Sequence, residues 1–103
     1  MHPYAFIENK IVESMPSAWQ LSAEDLSVNY FGSYLCVFIN GQREVRWVWD
    51  GKDGWGFVQE YINDSWNDLP IFLTEGDIEG VPQNTSKIAQ LLGSIHGIFH
   101  SGI

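Results

Sequence analysis

Basic residues are scarce in this chain. Its 103 residues hold five Lys and Arg against thirteen Asp and Glu, a formal net charge of −8. Between Lys52 and Lys87 there is no basic residue at all, while Asp53, Glu60, Asp64, Asp68, Glu75, Asp77 and Glu79 fall in that stretch. Such a field repels nucleic acid and anionic membranes, so neither is expected as a partner. Cysteine is nearly absent too. Cys36 stands alone, which rules out an internal disulfide. It sits in "YLCVFI" with no cation close in sequence, so it reads as a small buried hydrophobe and not as a reactive thiol. No apolar run approaches the roughly 18 residues of a membrane span. The opening "MHPYAFIENK" lacks a basic segment followed by an apolar stretch, so no secretory signal is expected. Together these absences point to the cytoplasm. Charged residues make up only 17% of the chain, where about 25% is typical.

What the chain has is apolar and aromatic material. Hydrophobic residues make up 45% and aromatic residues 15%, the reverse of a disordered composition. The length fits one domain, residues 1–103, with one modest core. There is no internal repeat and no low-complexity segment.

Periodicity gives the elements. Pro3 suits a first helical turn, and Tyr4, Ile7, Ile11 and Met15 recur at helical spacing until Pro16, which predicts a helix over 3–14. Trp19 and Leu21 alternate as in a short strand, and Ala23-Glu24-Asp25 reads as a turn. Residues 26–31 alternate, and 34–39 form an apolar run bounded by turns, as in a central strand. Asn40-Gly41 is a strong hairpin signal, and the chain returns over 44–49.

"EVRWVWDGKDGWGFVQEY" then forms a second hairpin. Val45, Trp47 and Trp49 share a face of its first strand, and Trp55, Phe57, Gln59 and Tyr61 share a face of its second over 55–61. With "DGKDG" as the turn, the two sets are expected to make one aromatic face packed under helices. Beyond residue 62 regularity drops. "PIFL" allows a short strand, and 74–83 reads as an exposed acidic loop. Asn84 or Thr85 caps a last helix carrying Ile88, Leu91, Leu92, Ile95 and Phe99. Gly93 and Gly97 inside that helix suggest close packing on the sheet, and Gly102 suits its C-cap. The expected fold is α+β: an antiparallel meander of about four to five strands, with N- and C-terminal helices packed on one face.

Residues with chemical potential are few. His96 and His100 are four apart on the last helix, but two imidazoles without a third ligand do not make a zinc site, so no metal is assigned. Asp50, Asp53 and Gly54 match turn chemistry better than a calcium loop, whose closing Glu is missing. There is no Gly-rich phosphate loop, nucleophile elbow or Cys cluster. No catalytic residue and no cofactor are assigned, and the chain is not expected to be an enzyme.

The acidic stretch has two readings. It keeps a small protein dispersed, or it attracts a basic protein and speeds the encounter. Trp66 lies within it, in the polar run "NDSWNDLP". A tryptophan framed by acids fits an interface anchor, and the alternative is a loop tryptophan folded back on the core. The candidate partner-binding residues are Trp66, Asp64, Asp68, Glu75, Asp77 and Glu79.

In size, in acidity and in the run from "DSWNDLP" to "TEGDIEG", the chain resembles the small acidic immunity proteins of bacterial toxin systems, including those of contact-dependent growth inhibition. That resemblance implies a cytoplasmic protein that binds and blocks a cognate, basic toxin domain. Two other classes stand beside it. One is a ligand- or carbohydrate-binding module using aromatic residues of a sheet face. The other is a structural or regulatory subunit that hides its open sheet face in an oligomer.

Overall fold

Burial alternates residue by residue through the middle of the chain. In β2 (Ser33–Asn40), Tyr34, Cys36 and Phe38 are buried and the residues between them are half-buried. In β3 (Arg43–Asp50), Val45, Trp47 and Trp49 are buried in the same way. A period of two with one face buried is what a sheet covered on one side requires. The computed structural model describes residues 3–27, 33–80 and 82–101, and for 3–5 and 23–27 only the backbone. Within it, β1 (Gln20–Ser27), β2, β3, β4 (Trp55–Ile62) and β5 (Ser65–Thr74) form one antiparallel sheet in the order β1-β2-β3-β4-β5. Helix α1 (Pro3–Ser14) precedes the sheet, and α2 (Glu75–Glu79) and α3 (Thr85–His100) follow it. The fold is α+β.

The helices cover one face. Ile7 and Ile11 of α1, Ile78 of α2, and Ile88, Leu91, Ile95, Ile98 and Phe99 of α3 share a single hydrophobic cluster with the buried residues of the sheet. Trp19 closes one corner: its indole N–H donates to the Phe99 carbonyl at 3.1 Å, and its ring lies 4.9 Å from that of Phe99. No helix among the described residues is long and apolar enough to cross a membrane.

Several expectations change at the level of elements. Residues 20–27 are one strand, so 23–25 is not a turn; a bulge between Leu21 and Ala23 takes up the irregularity that broke the alternation. The part of the expected 26–31 strand beyond residue 27 and the Gly102 cap lie outside the described residues. "PIFL" belongs to a ten-residue strand. Its period was hidden because β5 shifts register against β4 between Phe57 and Gln59, a kink that accommodates Pro70 on an edge strand. The expected acidic loop contains α2, whose N-cap Thr74 and Asp77 make a reciprocal capping box. Gly93 and Gly97 are exposed, with open space where a Cβ would stand, so close packing does not explain them.

The largest change concerns the aromatic hairpin. The loop between β3 and β4 has four residues, Gly51 to Gly54, and Asp50 pairs with Trp55. A five-residue loop would have paired Trp49 with Trp55. One residue of loop length flips every side chain of the second strand. Trp47 and Trp49 therefore share their face with Val58 and Gly56, and Trp55, Phe57, Gln59 and Tyr61 fall on the opposite one. The loop is held at four by its own chemistry. Asp50 Oδ1 accepts from the Lys52 and Asp53 amides at 3.0 and 3.1 Å, the Gly54 amide donates to the Asp50 carbonyl at 2.8 Å, and Gly54 takes φ 74°.

Candidate functional site

The second face of the sheet carries no helix among the described residues. Its composition follows from the register. One row crossing the strands reads Leu35, Val48, Phe57 and Phe72, and the next reads Val37, Arg46, Gln59 and Asp68. Trp55 flanks the first row and Tyr61 pairs with Trp66 beyond the second. The face is thus an apolar and aromatic band bordered by a polar ladder.

The aromatic band is built from edge contacts. The Trp55 ring lies 5.6 Å from Phe57 and 5.0 Å from Phe72, the latter edge-on at 82°. Phe72, on the edge strand β5, is 42% exposed. These rings line a cleft of ≈ 140 Å³ together with Gln59, Asp68 and Leu69.

The polar ladder is continuous. Arg46 Nε donates to Gln59 Oε1 at 2.7 Å, and Gln59 Nε2 donates to Asp68 Oδ1 at 2.6 Å. The Arg46 guanidinium also lies 3.9 Å from the centre of the Trp66 ring, whose edge meets Tyr61 at 5.2 Å. Partial burial pulls the Arg46 pKa down, while Asp68 and Glu44 oppose that shift.

The structure does not bring the six candidate partner-binding residues together. Asp64 and Asn63 are the central residues of the β4–β5 turn, both at positive φ (65° and 54°), as a type I′ hairpin turn demands. Asp64, Trp66 and Asp68 therefore cluster at one end of β5. Glu75, Asp77 and Glu79 follow its other end, across the ten-residue strand, or roughly 25–30 Å at about 3.3 Å per residue. Trp66 is neither in a loop nor folded onto the core: it is a half-buried strand residue on the open face.

Asp77 is committed to structure. Its Oδ2 accepts from the Thr74 amide at 2.8 Å, the Thr74 hydroxyl at 3.0 Å and Lys87 Nζ at 3.1 Å. The Thr74 amide above all, with Lys87 behind it, lowers its pKa to about 2. Glu75 and Glu79 remain exposed.

No family model, curated protein or solved structure matches the chain. The site therefore rests on its own geometry. Among the described residues no group of three His, Cys, Asp or Glu stands close enough to hold a metal ion. The His96 and His100 rings lie edge to face, 5.9 Å apart. What the geometry offers is recognition: aromatic surface, a fixed hydrogen-bonded ladder and exposed carboxylates. Sequence reasoning grouped Gln59 with Trp55 and Phe57 but turned that face toward the helices, and it missed Arg46 and Phe72 beside them. The signal that could have found Phe72 was the Asn63-Asp64 pair, a hairpin turn that makes residues 65–74 a strand beside 55–62.

Proposed function

We propose that the chain is a cytoplasmic binding protein that docks a basic partner protein on the open face of its sheet. The specific form we favour is an immunity protein that neutralises a toxin domain. The observation that carries the reading is the aromatic band of Trp55, Phe57 and Phe72 on a sheet face that carries no helix among the described residues, in a chain of net charge −8. Exposed apolar patches rimmed by polar groups mark interaction sites.

The charge distribution supports a basic partner. Arg43 is tied to Glu60 and to the Ser101 carbonyl, Lys87 to Asp77, and Arg46 to Gln59 and Trp66. Three of the five cations are thus tied internally, and the exposed acids Asp64 and Asp68 stand beside the face. Rim charge of this kind raises the association rate, and desolvated aromatic contact slows dissociation. No chemistry is required of such an inhibitor.

The test is capture of partners by the tagged chain from its native host, in parallel with Phe57→Ser, followed by surface plasmon resonance at two salt concentrations. A basic protein recovered by the wild type and lost by the variant is the expected result, with Asp68→Asn slowing association and Trp66→Ala speeding dissociation. Equal recovery by Phe57→Ser would remove the open face from the account.

A further inference from the structure

Four of the five basic side chains lie over aromatic rings of the chain itself. Lys10 stands 5.7 Å from the centre of Phe6, Arg43 5.4 Å from Trp19, Arg46 3.9 Å from Trp66 and Lys87 5.0 Å from Phe72. Two of these rings, Trp66 and Phe72, belong to the open face. Trp55 and Phe57 belong to it as well, yet no cation of the described residues stands over either. Between them opens the ≈ 140 Å³ cleft that Asp68 also lines.

We infer that this cleft is a receptor for one Lys or Arg side chain of the partner. The inference rests on the docking reading above for the source of that side chain; the chemistry of the cleft is argued independently. Size is the first argument. The cleft is well below the roughly 300–1,000 Å³ of small-molecule sites, so it suits one side chain and not a free metabolite.

Electrostatics is the second. Ring faces attract cations, most strongly where water is excluded, and Trp55 supplies a ring in contact with both Phe57 and Phe72. The third argument is the placement of the carboxylate. Gln59 holds Asp68 Oδ1 at 2.6 Å while its own carbonyl oxygen is fixed by Arg46. Asp68 is therefore oriented by a neutral spacer, and its exposed carboxylate retains Oδ2 for a donor from outside. Arg46 is kept on the far side of Gln59, over Trp66, and Lys87 stands over Phe72, so among the described residues no cation stands over Trp55 or Phe57.

The test uses small probes on the isotope-labelled whole chain. N-acetyl-lysine methylamide and N-acetyl-arginine methylamide are titrated against N-acetyl-norleucine methylamide, which has the same stem without charge, and against a methyl glucoside. The reporter is the Trp55 indole N–H resonance. The cationic probes should shift it saturably and about tenfold more tightly than norleucine. Asp68→Asn and Phe57→Leu should each remove most of that preference, the second because it keeps the apolar volume and deletes the ring. Thermal melts confirm that both variants fold.

Equal binding of norleucine and lysine, or an unchanged preference in both variants, would overturn the inference. So would saturation by the glucoside alone, which would make the cleft a sugar site. Failure of the probes together with loss of partner binding in Phe57→Ser would remove the cation cleft and leave the docking face standing. Charge-selective probe binding without any captured partner would do the opposite.

Discussion

Gly56 is the position where the register of the aromatic hairpin can be tested by one methyl group. It lies on the helix-covered face of β4, paired with Trp49. A Cβ built there would stand 2.3 Å from Trp47 Cη2, 2.8 Å from Trp47 Cζ2 and 2.8 Å from Trp49 Cε3. Contacts that short require one partner to move. Neither indole has room: Trp47 is fully buried and Trp49 is 4% exposed, both inside the single core cluster. Forcing an extra methyl into a packed core typically costs about 1–3 kcal/mol, and two immobile indoles place Gly56→Ala at the upper end. On a domain of this size about 1 kcal/mol corresponds to roughly 4–8 °C, so the melting temperature should fall by about 10 °C or more. Urea unfolding followed by tryptophan fluorescence measures the free energy directly. A change below about 0.5 kcal/mol would mean that residue 56 does not face Trp47 and Trp49. The four-residue loop, and with it the division of aromatics between two faces, would then be wrong.

Gly93→Ala should raise stability by about 1 kcal/mol in the same urea assay, because the helix gains a better former at an exposed position with no atom within 4 Å. Asp64→Gly should also stabilise, by about 0.5–1 kcal/mol, since glycine enters the left-handed region of the β4–β5 turn without strain; calorimetry reads the shift. Asp77→Asn should destabilise by about 1 kcal/mol at neutral pH through the capping box and the Lys87 pair. Its folded pKa of about 2 lies below the ordinary 3.8, so its contribution is present above about pH 4 and is lost as pH falls through 2. Stability curves of wild type and variant should therefore converge between pH 4 and pH 2, and a gap that stays constant would contradict the assignment.

Much of the fold was legible because hydrophobic period and turn chemistry agreed. The 3–14 helix, the strands around residues 34–39, 44–49 and 55–61, and the α3 start at Asn84 and Thr85 all follow from patterns that the structure repeats. What failed was parity. "DGKDG" gives the turn but not its length, and the length decides which face receives Trp55 and Phe57. Hydrogen bonds from the Lys52 and Asp53 amides to Asp50 settle it, and a composition argument does not contain them. The second failure was β5. Pro70 and the register shift interrupt its alternation, so of a ten-residue strand only a short piece at "PIFL" was legible. The acids were counted correctly, yet linear proximity did not translate into a patch. A ten-residue strand separates Asp64 from Glu75, and Asp77 turns inward to cap α2.

Hydroxyl-radical footprinting of the chain, free and bound to its captured partner, tests the open-face account most directly. Trp55, Phe57, Phe72 and Trp66 should lose reactivity in the complex, while Val12, exposed on α1, keeps it. Protection of Val12 with Trp55 and Phe72 labelled as in the free chain would place the partner on the helices and contradict the account.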